Sequence, residues 1–486
     1  MLFNSYIFIL LFLPLTLIGY YMINRYGKYY LANIWVIGMS LWFYGYFDFF
    51  NLLLICGSIL GNYILSRCII YIQQENGRKI LLLSGILINL GILFYYKYFD
   101  FFIINLNAVM RETFEVQNIV LPLGISFFTF QQISYLVDTF RGETKEYHLV
   151  EYALFVSFFP QLVAGPIVLH NEIIPQFQDN KKRKPNAENI AKGIYIFSIG
   201  LFKKVLIADT LGKAVTWGYG TAADLTSMEA FLVSIFYTFQ LYFDFSGYCD
   251  MAIGISSMFN IQMPYNFNSP YQATSIIDFW NRWHMSLTRF LREYVYFPLG
   301  GSKKGKARTY VNIMIVFLIS GIWHGANWTF ILWGGLHGLA NCLNRICKKA
   351  WGKLGVITQW FLTFIFVDFA WIIFRAENIG QAAGIIKRVL SFQSFVVREE
   401  LVECFNLPEF VYLREHIPLV KWGCEQIWGV PMWLFLMGSF MITLNMKNSS
   451  QISFRPTAMR ALVTIFMLVW SVMSFSGVST FLYFNF

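Results

Sequence analysis

Charge is what this sequence has least of. Only 13% of its 486 residues are Asp, Glu, Lys or Arg, against roughly 25% in soluble domains. With 57% hydrophobic residues and a mean hydropathy of +0.52, that shortage excludes a soluble globular chain. Cysteine is sparse as well: there are seven, and no Cys-x-x-Cys pair, which removes zinc and dithiol redox motifs. Cys404 and Cys424 share one polar segment and are the one candidate disulfide. There is no Gly-x-Ser-x-Gly elbow, no Walker loop and no Gly-x-Gly-x-x-Gly fingerprint, so hydrolase-type serine chemistry and nucleotide cradles have no sequence support. Without a soluble module to carry the basic residues, nucleic acid is excluded as a partner. No basic n-region precedes the first apolar run, which is also too long for a cleaved leader, so it is expected to remain as the first span.

What the sequence does have is apolar runs, at about 5–22, 31–47, 49–73, 79–96, 98–110, 119–140, 149–166, 190–208, 228–258, 309–343, 355–374, 429–446 and 458–484. At about 20 residues per crossing they predict an all-α polytopic membrane protein of about ten to twelve helices, some re-entrant. The whole of 1–486 reads as one membrane-embedded domain: N-terminal helices over 1–117, a core over 118–375, and an amphipathic segment with the last helices over 376–486. The aromatic group Phe94–Asp100 is expected at a membrane boundary. Pro160 and Pro166 in one apolar run predict an interrupted or re-entrant helix over 155–170. Residues 278–293 alternate aromatics and cations, as an amphipathic helix at an interface does.

Net charge is +10, gathered at Lys181–Lys184, Lys203–Lys204, Lys303–Arg308 and Arg345–Lys349. These clusters read as cytosolic loops against anionic lipid, or as a docking surface for an anionic donor such as coenzyme A. The positive-inside rule places residue 1 outside and the loops around Arg25, Lys181 and Lys303 in the cytosol.

Of the six histidines, His324 is the most informative, because an ionisable group inside an apolar run is costly unless it faces a bundle interior or a wet cavity. Imidazole also exchanges a proton near neutral pH, which a general base must do. His284 sits among Trp280, Trp283, Arg282 and Arg289. His337 reads as structural. On one unbroken helix His324 and His337 would lie about 20 Å apart along the axis and about 220° apart around it, facing away from each other unless Gly325 or Gly334–Gly335 breaks the helix. No metal-ligand spacing occurs. Asp244, Asp250, Asp278 and Glu293 form no recognisable relay and are candidates to pair Arg282, Arg289 and Arg292.

The stretches Leu121-Pro-Leu-Gly-Ile-Ser-Phe-Phe-Thr-Phe-Gln131, Phe158-Phe-Pro-Gln-Leu-Val-Ala-Gly-Pro166 and Gly200-Leu-Phe-Lys-Lys-Val-Leu-Ile-Ala-Asp209 follow one another along the chain. After them come Tyr242-Phe-Asp-Phe-Ser-Gly-Tyr-Cys-Asp-Met-Ala-Ile-Gly254, Phe279-Trp-Asn-Arg-Trp-His-Met-Ser-Leu287, Tyr296-Phe-Pro-Leu-Gly-Gly-Ser302 and Gly321-Ile-Trp-His-Gly-Ala-Asn-Trp328. In this order and spacing the sequence resembles the membrane-bound O-acyltransferase (MBOAT) family, in particular its bacterial alginate O-acetyltransferase branch. Members related to that branch O-acetylate peptidoglycan or cellulose, or carry D-alanine to teichoic acid. The resemblance implies a helical bundle with a thinned, funnel-shaped centre, a catalytic histidine at His324 and a second functional histidine at His284. Asn281 departs from the arginine that many relatives have there.

The implied reaction moves an acyl group, acetyl above all, from a cytosolic thioester such as acetyl-CoA to a hydroxyl of an extracytoplasmic polysaccharide, at the bacterial cell membrane. No bound cofactor or metal is expected. Beyond membrane lipid, the expected partners are the acyl donor, the polysaccharide acceptor and a separate extracytoplasmic esterase-like transferase. In this reading His324 removes the hydroxyl proton. Asn327, Trp323 and Trp328 are candidate donors to the oxyanion. Arg282, Arg289 and Arg292 are candidates for donor phosphates, with Asp244 as a further substrate contact. The competing class is a transporter or flippase that moves an acyl carrier or glycan intermediate without chemistry; it should tolerate His324→Asn or His324→Gln.

Overall fold

In a bilayer each backbone N–H and C=O must find its partner within the segment, so apolar runs fold as helices. The computed structural model describes residues 1–111, 113–475 and 480–482, and every regular element among them is helical. Among the described residues, four helices are each long and apolar enough to cross a membrane: Phe8–Arg25, Phe49–Tyr71, Glu75–Met110 and Val356–Arg375. Pro418–Gln426 and Val430–Gln451 form a further apolar pair bent by 91°. The expected last span over 458–484 is helical from Ala458 to Met473, and part of it lies outside the described residues.

The runs expected at 79–96 and 98–110 are one helix, Glu75–Met110. The aromatic group reads as a break because a π turn, Phe94–Tyr98, is set into the helix there. Such a turn widens the helix without ending it, and Lys97 within it reaches the Trp323 carbonyl and Ser126 Oγ.

The central post is Ser227–Met258, 32 residues long and buried along almost its whole length. Ala187–Phe202 lies against it through reciprocal glycines. A Cβ built on Gly193 would stand 2.5 Å from the Gly254 carbonyl oxygen, and one on Gly200 would stand 2.5 Å from that of Gly247. Two membrane helices can approach this closely only where small residues face each other. Directly after, Lys203 and Lys204 enter a π turn, Lys203–Ala208, and are buried instead of forming a surface cluster. Lys203 pairs with Asp250 at 2.6 Å, and Lys204 with Asp244 at 2.7 Å and Asp209 at 2.8 Å.

The interruption expected over 155–170 is present. Leu149–Ser157 ends, a single turn Phe159–Leu162 follows, and the buried chain stays non-helical until His170–Gln178 begins. Side chains satisfy the freed backbone groups. Phe159 N–H donates to Ser40 Oγ at 3.1 Å, and Ile167 N–H to Ser286 Oγ at 2.9 Å. The helix expected over 278–293 is broken too: Ile276–Arg282 and Met285–Leu291 meet at His284. Cys404 and Cys424 are free thiols, and Cys404 Sγ instead donates to the Glu400 carbonyl.

Candidate active site

The apolar segment carrying His324 is a helical hairpin, Lys306–His324 and Trp328–Ile346. It turns at Gly325, whose extended backbone (φ −170°, ψ 157°) stops the first helix. Asn327 starts the second: its Oδ1 accepts from the Thr329 N–H at 3.0 Å, and its Nδ2 donates to the Glu377 carbonyl at 2.7 Å. The two helices touch backbone to backbone at Gly321 and Gly334, whose Cα atoms leave no room for a side chain. Because the chain folds back, His324 and His337 share a neighbour instead of facing away. The Trp333 ring lies 5.2 Å from the His324 ring and 4.8 Å from the His337 ring.

Trp323 extends the series on the other side. Its ring is 5.0 Å from His324 and 6.0 Å from His284. Three histidines and two indoles therefore alternate through the core in the order His284, Trp323, His324, Trp333, His337. Phe374, 5.2 Å from His324, closes a third side of that imidazole. All three histidine side chains are buried. Lys97, His284 and His337 lie within electrostatic reach of His324.

His284 occupies a built turn. Its φ of +45° is in the left-handed region, rare for a residue with a side chain. Asn266 holds it there: its carbonyl accepts from Met285 N–H at 3.0 Å and its Oδ1 from Ser286 N–H at 3.1 Å. Ser286 in turn accepts from Ile167, so the second histidine and the interrupted segment are tied together. A small cavity reaches His324 and Trp323 between Lys97, Ser126, Leu123 and Val163. Val163 belongs to that same interrupted segment.

These features fall within residues 36–379, which match the family model of MBOAT, the membrane-bound O-acyltransferase family. The chain belongs to this family. It is an acyltransferase and a multi-pass membrane protein. It is 40% identical to the peptidoglycan O-acetyltransferase of Helicobacter pylori, over 100% of this chain and 98% of that protein. It is 36% identical to the probable alginate O-acetylase AlgI of Pseudomonas aeruginosa, over 89% of this chain and 83% of the relative. With the teichoic acid D-alanyltransferase of Bacillus subtilis it shares 30% identity over 54% of this chain and 70% of the relative.

Within this MBOAT chain the residues singled out from sequence divide. His324, His284 and Trp323 come together. Asn327 does not join them as a donor, since capping and the Glu377 carbonyl use its amide. Trp328 points away: it is 53% exposed, and its Nε1 donates to Asn105 Oδ1 at 2.8 Å. Arg282 is held by Asp278 at 2.8 Å. Arg289 is held by both Glu172 oxygens, at 2.5 and 2.9 Å, and donates to the Ile167 carbonyl. Both guanidiniums brace the loop that carries His284 and leave few donors for a phosphate. Asp244 faces Lys204 and accepts from Leu482 N–H at 2.9 Å. Among the described residues no three His, Cys, Asp or Glu side chains converge as metal ligands.

Two further residues of the site stand out only in the structure. Lys97 was masked by its aromatic neighbours, although a lysine inside an apolar run is itself a signal. Its Nζ donates to the Trp323 carbonyl at 2.6 Å and to Ser126 Oγ at 3.2 Å. Trp333 carried no signal, because only the hairpin turn places it beside His324. Its Nε1–H is buried, with no hydrogen-bond partner among the described residues.

Proposed function

We propose that this acyltransferase moves an acetyl group from a cytosolic thioester, acetyl-CoA, to a hydroxyl of an extracytoplasmic glycan at the bacterial cell membrane, with peptidoglycan as the acceptor. The observation that carries the reading is the enclosure of His324 by Trp323, Trp333 and Phe374 beside a cavity that an interrupted helix borders. The acceptor is favoured by the full-length match to a peptidoglycan O-acetyltransferase.

In the reaction the acceptor hydroxyl gives its proton to His324 as its oxygen attacks the thioester carbonyl. The tetrahedral oxyanion takes a hydrogen bond from Trp333 Nε1–H, a buried donor with no hydrogen-bond partner among the described residues. The carbon–sulfur bond then breaks, and the proton returns from His324 to the leaving thiol. Lys97 and the His284 turn position the Trp323–His324 end of the helix. An extracytoplasmic esterase-like protein receives the acyl group where transfer to polymer is not direct.

The test is a deletion strain complemented with wild type or His324→Ala. Base-labile acetate on isolated peptidoglycan should return with wild type and stay absent with the variant at equal protein level. Full acetate with His324→Ala would remove the base. Unchanged peptidoglycan acetate in the deletion strain itself would remove the acceptor.

A further inference from the structure

Lys181, Lys184 and Lys192 line one cavity of about 510 Å3 together with Asn186 and Asn189. Among the described residues none of the three pairs with a carboxylate within 4.0 Å. Cations gathered in a concavity repel one another unless they share an anion. This loop is not free to splay them apart. Asn260, 6% exposed and at φ +62°, donates from Nδ2 to the Lys182 and Lys184 carbonyls, both at 2.8 Å. Its Oδ1 accepts from Asn189 Nδ2 at 2.9 Å. A buried asparagine in the left-handed conformation that this residue tolerates thus fixes the backbone that presents the lysines.

A second cavity, about 860 Å3, shares Lys184 and Pro185 with the first. Its far wall is Leu17, Ile18 and Met22 on the membrane-crossing helix Phe8–Arg25. Ile18 is 58% and Met22 55% exposed, as lipid-facing residues are. A cationic cup and an apolar groove therefore meet across one ridge, at the end of a membrane helix.

We propose that the two cavities together bind an anionic phospholipid, its headgroup phosphate on Lys181, Lys184 and Lys192 and an acyl chain along Leu17, Ile18 and Met22. A soluble phosphate compound would use the cup and leave the groove idle. The cup shares no lining residue with the cavity that reaches His324, so the site is separate from the acyl-transfer centre.

The experiment measures lipid binding to the full-length protein in detergent by native mass spectrometry, titrating phosphatidylglycerol, phosphatidylcholine and coenzyme A separately. Wild type should bind phosphatidylglycerol in preference to phosphatidylcholine. The triple variant Lys181→Gln, Lys184→Gln, Lys192→Gln should lose about a hundredfold in phosphatidylglycerol affinity, the combined effect of three juxtamembrane cations. The triple variant Lys348→Gln, Lys349→Gln, Lys353→Gln removes equal charge from an exposed segment and should bind like wild type. Asn260→Ala keeps every charge and should still weaken binding, which keeps the test open if the first triple variant folds poorly. Equal losses in the two triple variants, or no preference for phosphatidylglycerol, would overturn the site. Loss of coenzyme A binding with phosphatidylglycerol unchanged would reassign it to the thioester donor and overturn the lipid.

Discussion

Lys97 donates a hydrogen bond to the main-chain carbonyl of Trp323 at 2.6 Å, one residue before His324. Carbonyls in the last turn of a helix have no intrahelical partner, and the negative end of the helix dipole favours a cation there. Lys97 supplies both, reaching in from a different helix. Replacing it by an isosteric apolar residue leaves a buried acceptor unmatched, at a cost of about 1–3 kcal/mol. Lys97→Met is therefore expected to lower the melting temperature and to lose most O-acetylation, whereas Lys97→Arg keeps the donor and should retain part of it. Acetylation per folded protein, set against thermal stability in detergent, checks both.

The left-handed backbone at His284 lets the turn be separated from the imidazole. Asparagine tolerates that conformation, whereas alanine there costs about 1–2 kcal/mol. His284→Asn should keep wild-type stability and lose activity. His284→Ala should lose both. Thermal melts beside polymer acetate measurements decide it, and an active His284→Asn would reduce this histidine to a turn former.

Asn327 is a helix cap. Its replacement by alanine should cost about 1 kcal/mol of stability. Activity per folded molecule should stay within a few-fold of wild type, well short of the roughly hundred- to thousandfold loss that removing an oxyanion donor brings. A loss of that larger size would restore Asn327 to the chemistry.

Much of this architecture was legible in the sequence, because hydrophobic runs fix helices and paired prolines fix a break. The 155–170 interruption follows from Pro160 and Pro166 alone. His324 is legible for a related reason, since a buried ionisable group in an apolar run demands a purpose. The residues that escaped are those whose role depends on tertiary contacts. Trp333 meets His324 only because Gly325 turns the chain, and Gly321 and Gly334 let the two helices close. The pairing of Arg282 with Asp278 follows from their i, i+4 spacing, whereas Arg289 reads as a phosphate ligand because its partner, Glu172, lies 117 residues away on another helix. Asp244 looked like a site residue because its counter-ion, Lys204, lies on another helix.

The glycine contact between Ala187–Phe202 and Ser227–Met258 makes a prediction about assembly. Gly200→Val forces a side chain against the Gly247 carbonyl and the Met251 N–H, an overpacking worth about 1–3 kcal/mol or more. Gly384→Ala, on a helix where a Cβ meets nothing within 4 Å, should gain up to about 1 kcal/mol from helix propensity. Melting temperatures of the two variants should move in opposite directions, and equal shifts would deny the close helix contact.

Whether His324 performs acyl transfer or lines a transport path is decided with the purified protein reconstituted in liposomes with acetyl-CoA and a soluble glycan acceptor. Free thiol and acetylated acceptor are measured together for wild type and His324→Gln. Wild type should release thiol in step with ester formation. His324→Gln, folded to the same melting temperature, should do neither above background. Thiol release and ester formation by His324→Gln at a rate near that of wild type would contradict acyl transfer by His324.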